Sequence, residues 1–173
     1  MSYDAERVGK ALKERLESEL GDALDTVEAA WAGDDPVTLP DPVTWFLGHK
    51  PTVVEMESSE FPFLGVIVAD TSPKGRPSRW GYQEETLTVF VDYFVVADDE
   101  TTVNKRAHRY AEAILAVLQE ERYIEEYMQQ DYRPRVRLSE ASRHAKTENA
   151  DMFSADDVDY IQMGRVEVGF DGG

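Results

Sequence analysis

TLTVFVDYFVVA (residues 86–97) is the longest run of apolar β-formers in the chain, and Asp98, Asp99 and Glu100 follow it directly. A strand apolar at nearly every position is covered on both faces, which places it inside a sheet rather than at its rim. Upstream, FPFLGVIVAD (residues 61–70) is a second β-branched run bounded by turn residues. The two pair as a hairpin over about residues 61–98, around the loop TSPKGRPSRWGYQEE. After the three acids, Val103, Ala107, Tyr110, Ile114, Val117 and Leu118 recur at helical spacing, which predicts a helix over about 100–127.

The remaining elements arrange around this unit. Val8, Leu12, Leu16, Leu20, Leu24 and Val27 form one apolar stripe, predicting an N-terminal helix over about 3–32. Four prolines from Pro36 to Pro51 forbid a regular element there. The stretch reads as an ordered surface loop, because Trp45, Phe46 and Leu47 need something to pack on. TVVEMESSE (52–60) is a candidate short strand. YRPRVRLSEAS alternates, with Tyr132, Pro134, Val136 and Leu138 opposite Arg133, Arg135 and Arg137, so 132–141 is a half-exposed strand near an edge. RHAKTENADMFSADD is polar and without period, an excursion, and 158–170 is the closing strand. The order predicts one α+β domain over residues 1–173, its helices on one face of a mainly antiparallel, four- to five-stranded sheet. With 42% apolar residues the chain can build a real core.

Charge narrows the function. Thirty-five acids against eighteen bases give a net charge of −17, a surface that repels nucleic-acid phosphate and anionic membranes. The bases are six Lys and twelve Arg. Acid-rich, lysine-poor composition resembles proteins of halophilic archaea, whose self-repulsion is screened at a Debye length of roughly 3 Å in 1 M salt. An acidic mesophile protein fits the same composition. The absence of cysteine excludes disulfides, thiolate metal sites and cysteine nucleophiles. No segment approaches the ~20 apolar residues of a membrane span, and the first residues lack the apolar core of a signal peptide.

Asp98, Asp99 and Glu100 suit a helix start, where a side-chain oxygen accepts from the orphan first-turn N–H groups. The rival is a divalent-metal site of Asp70, Asp92 and Asp98, the basis of an acidic metal-dependent hydrolase. Asp92 and Asp98 would share a strand face but stand ~20 Å apart, too far for one ion. His49, His108 and His144 have no ligand spacing, with His108 expected to face solvent, and no nucleotide-binding or nucleophile-elbow motif is present. No catalytic, metal or cofactor residue is therefore expected. The candidate contact residues are cationic and aromatic: Lys74, Arg76, Arg79, Trp80 and Tyr82 in the hairpin loop, and Arg133, Arg135 and Arg137 on the later strand. Arg and Trp are favoured interface anchors, and the acidic remainder of the surface complements them.

In the order of its elements the chain resembles the tail terminator (tail completion) proteins of long-tailed phages and related archaeal viruses. The resemblance rests on the helix VGKALKERLESEL, the proline-broken loop, the hairpin FPFLGVIVAD to TLTVFVDYFVVA, its passage through DDET into NKRAHRYAEAILAVLQ, and two closing strands. The 36–51 loop and the 143–157 excursion depart from the pattern. The resemblance implies a non-enzymatic virion protein without cofactor. It implies a hexameric ring that caps the tail tube, meets the head–tail connector, and lets DNA pass through its lumen without specific binding. Its place would be the virion neck, and the host cytoplasm during assembly. Another head–tail joining protein of similar fold is the alternative.

Overall fold

The computed structural model describes residues 5–48, 58–74, 84–120, 135–145 and 158–171. Two helices, α1 (Ala5–Trp31) and α2 (Glu100–Glu120), accompany six strands: β1 (Thr44–Leu47), β2 (Phe63–Lys74), β3 (Glu84–Ala97), β4 (Arg135–Leu138), β5 (Ser142–Ala145) and β6 (Val158–Asp171). The sheet order is β1-β2-β3-β6-β4, and β5 also pairs with β6. Among the described strands only the β1–β2 pair is parallel. The fold is α+β, with a mainly antiparallel sheet and both helices on one face, as the element order predicts.

The apolar run at residues 86–97 is interior, with β2 on one side and β6 on the other. Its odd positions from Leu87 to Ala97 meet the helices. The α1 stripe of Val8, Leu12, Leu16, Leu20, Leu24 and Val27 is buried in full, as are Val103, Ala107, Tyr110, Ile114, Val117 and Leu118 of α2. At the centre Tyr93 and Tyr110 stack at 5.9 Å. Their hydroxyls donate to the carbonyls of Ala107 and Pro40, and burial pushes both phenols well above their usual range. Gly164 lies under the Tyr93 ring, where a Cβ would come within 2.0 Å of Cζ, so β6 needs glycine there.

Four expectations change. The proline-broken stretch contains β1, a strand: an edge position needs ladder bonds on one side only, which lets Thr44–Leu47 pair with β2 between flanking prolines. Trp45 packs into the helix-side core and Phe46 against the opposite face, which supplies the partners those residues require. The excursion opens with β5, whose backbone pairs with β6 from Ser142↔Ile161 to Ala145↔Val158, so His144 lies in a strand. The hairpin strands also reach further than expected, so Lys74 lies in β2 opposite Glu84 rather than in the loop. Of the candidate strand at 52–60, residues 52–57 lie outside the described residues, and Ser58–Glu60 is a short 3-10 turn. The part of the second helix expected beyond residue 120 also lies outside them.

The loop after α1 is ordered by named bonds. Asp35 accepts from Lys105 Nζ at 2.8 Å and Arg109 Nη2 at 3.0 Å. Arg106 donates to the carbonyls of Thr38 and Val96, and the Leu39 N–H donates to Glu28.

Candidate functional site

The junction acids act as a cap. Asp99 accepts from the Thr102 N–H at 2.8 Å and from the Thr102 hydroxyl at 2.7 Å, one residue ahead of α2. The Thr102 bonds, side chain first, hold the Asp99 carboxyl below the usual carboxylate range. Asp92 is committed elsewhere. It is fully buried and directly opposite Arg165 in the β3–β6 register. Arg165 Nε donates to Oδ1 at 2.5 Å and Nη2 to Oδ2 at 2.7 Å, a two-pronged contact that occupies both carboxylate oxygens. The Arg165 guanidinium also lies 4.1 Å over the Phe90 ring. The structure thus does not bring Asp70, Asp92 and Asp98 together, and among the described residues no group of acids and histidines is arranged to hold a metal ion. His108 is exposed, as expected.

Of the expected contact residues, Lys74 is placed by its backbone at the end of β2, while Arg76, Arg79, Trp80 and Tyr82 lie outside the described residues. Arg133 also lies outside them. Arg135 is placed by its backbone at the start of β4, opposite Glu167. Arg137 is 68% exposed on this edge strand, 3.8 Å from Glu167, so its charge is partly met within the chain.

The helical layer offers a feature that periodicity does not show. A groove of about 370 Å³ opens between α1 and α2, with Ala23, Val27, Ala116 and Val117 as its apolar lining and Glu19, Asp22 and Thr26 as its polar one. Glu19 is met by Arg15 at 3.3 Å. Asp22 is exposed, and among the described residues no hydrogen bond or ion pair reaches its carboxylate. The lining residues are spread over two helices 89 or more positions apart in sequence, so the groove exists only after the helices pack.

The α1 wall of this groove lies away from the hairpin end. α1 runs antiparallel to β2. A Cβ on Gly9 would sit 3.0 Å from Val68 Cγ2, toward the hairpin end, and one on Gly21 would sit 3.3 Å from Asp41 Oδ1, beside the start of β1. β1 in turn pairs with the first residues of β2, Phe63 to Val66.

No family model and no curated protein matches the chain. Among solved structures, a chain of the "Virion of native gene transfer agent (GTA) particle" is similar, at 13% identity, covering 99% of this chain and 100% of that chain with a TM-score of 0.35. A likeness of that size carries no argument about this chain. Among the described residues no helix is long and apolar enough to cross a membrane.

Proposed function

We propose that this chain is a structural subunit of a virion neck or tail end, assembling with itself into a ring that terminates the tail tube and meets the head–tail connector. The observation that carries the reading is the β2–β3 hairpin. It runs on to Lys74 and Glu84, past the Phe63–Val66 stretch that β1 covers, and its other strand passes through the Asp99 cap into α2. An extended hairpin with a cationic, aromatic tip sequence, on a chain of net charge −17, is suited to reaching a like neighbour. An acidic lumen would let a polyanion slide rather than bind. Lys74, Arg76, Arg79, Trp80 and Tyr82 form the contact in this reading, with Arg133, Arg135 and Arg137 as a second patch.

Mass by light scattering after size exclusion, in ~0.1 M and then ~2 M salt, tests the ring, because this range takes the surface from partly to almost fully screened. A discrete closed oligomer near six subunits is expected in high salt. Charge reversal at Arg76 and Arg79 should then prevent assembly while the circular dichroism of the subunit stays unchanged. An oligomer indifferent to both reversals rules out the hairpin tip as the contact. Another head–tail joining protein shares every one of these features, and the genes flanking this one distinguish the two, since a terminator gene usually precedes that of the tube protein.

A further inference from the structure

We infer that the α1–α2 groove is the receptor for the hairpin tip of a second copy, with the cationic and aromatic segment 75–83 seated against Asp22. This rests on the self-assembly reading above and names the acceptor that it lacks. Chemistry and geometry point the same way.

The chemistry is complementary. Segment 75–83, GRPSRWGYQ, carries two arginines, a tryptophan and a tyrosine and no acid. The groove has the converse character, with an apolar floor of Ala23, Val27, Ala116 and Val117 beside an exposed carboxylate, Asp22, that has no partner among the described residues. Its volume of about 370 Å³ is of the size that takes one large aromatic side chain with room for a neighbouring guanidinium. An indole on the floor with a guanidinium at the rim is the usual form of an interface anchor.

Geometry excludes the same chain as donor. From the level of Gly9 and Val68, α1 runs thirteen residues to Asp22, about 20 Å at 1.5 Å per residue. From the same level, β2 runs six residues the other way to Lys74, again about 20 Å. The nine residues between Lys74 and Glu84 are tethered at both ends by the pairing of those two positions, which limits their reach to about 15 Å. A segment of that reach falls short of Asp22 in the same chain. Donor and acceptor on separate surfaces of one molecule make a head-to-tail contact between copies, the kind that closes into rings.

The absence of native cysteine makes the contact addressable. Thr26→Cys places a thiol in the groove and Ser78→Cys places one in the hairpin segment. The two variants are mixed in ~2 M salt with a short bis-maleimide, alongside each variant alone and the double variant at high dilution. A cross-linked dimer is expected from the mixture, and Asp22→Lys or Trp80→Ala should lower its yield about tenfold. Circular dichroism confirms that each variant is folded. An oligomeric mass without the mixed adduct overturns the groove contact and leaves the ring. A monomeric mass without the adduct overturns both. Adduct formed within single molecules of the diluted double variant shows the segment in its own groove and overturns the inference.

Discussion

On the sheet face beneath α1 and α2, β3 presents Leu87, Val89, Val91, Tyr93, Val95 and Ala97, all buried, whereas on the opposite face the same strand places a carboxylate, Asp92, between Phe90 and Phe94. The helix side is closed by aliphatic side chains from both helices and the sheet, and its two buried tyrosines each donate a hydroxyl to a backbone carbonyl. The opposite side has a smaller aromatic cluster of Phe61, Phe63, Phe94 and Ile161, in which Phe63 stacks on Phe94 at 4.3 Å and meets Phe46 edge-on at 5.4 Å. Beside it lies the Asp92–Arg165 pair, which holds β3 to β6 in one register. Apolar packing on the first face tolerates a shift of similar volumes. An ion pair does not, because a slip of one residue would turn Asp92 into the aliphatic core.

The largest effect should come from breaking this pair on its exposed side. Arg165→Met leaves the fully buried Asp92 without its counter-charge, and a loss of about 3–5 kcal/mol is expected in urea unfolding. Adding Asp92→Asn should restore much of it. A loss under about 1 kcal/mol would remove the distinction between the faces, since a surface pair costs no more.

Next is Gly164→Ala, which probes the packing of the helix side. The added methyl meets the Tyr93 ring, which is pinned by Tyr110 above it and by its bond to Ala107. A destabilisation of about 3 kcal/mol is expected, with loss of near-ultraviolet tyrosine dichroism. Wild-type dichroism in a stable variant would mean that the ring has room to move. A smaller loss, of about 2 kcal/mol, is expected for Phe46→Ala, a half-buried ring at the rim of the aromatic cluster.

The smallest effect concerns charge at the loop and cap, outside both faces. Hydrogen bonds from Lys105, above all, hold Asp35 below the usual carboxylate range, as the Thr102 bonds do for Asp99. Because both folded values lie below the unfolded one, their stabilisation is complete above the unfolded pKa of about 3.9 and is lost as pH falls through the folded values. Asp35→Asn combined with Asp99→Ala should lower Tm by a few degrees near neutral pH, and leave a shallower fall of Tm with acid than the wild type shows. An unchanged acid profile would mean that neither carboxylate is held in solution as it is in the structure.

Much of the fold was legible because its signals are periodic and local. The α1 stripe, the hairpin and the entry into α2 each span residues adjacent in sequence, and the junction acids announced the cap. What was hidden depends on pairing at a distance. β5, Ser-Arg-His-Ala, has no apolar alternation and is a strand only because β6 offers backbone partners. β1 is four residues between prolines, detectable in Trp45 and Phe46 but masked by the breaker rule. Asp92 had a signal, a lone charge within an apolar run, which demands a buried partner, but Arg165 is 73 positions away. The groove had none, because it belongs to neither helix alone. The metal-site reading of Asp92 fails for the same reason that the residue is informative: its two oxygens are already bonded.

β6 is the last of the described strands, yet it lies inside the sheet, with β3 along one flank and β4 and β5 along the other. The join between those two short strands is fastened to it as well, by Ser139 to the Met163 backbone and by Gln162 to the Ser139 carbonyl. During synthesis, one flank of β3 and the whole of β4 and β5 wait for this strand. A chain still emerging from the ribosome exposes the open flank of β3 and two orphan strands, surfaces that invite pairing with the wrong molecule. Many copies made side by side would meet that hazard together, so the delay before β6 is released is a vulnerable interval in the life of each subunit.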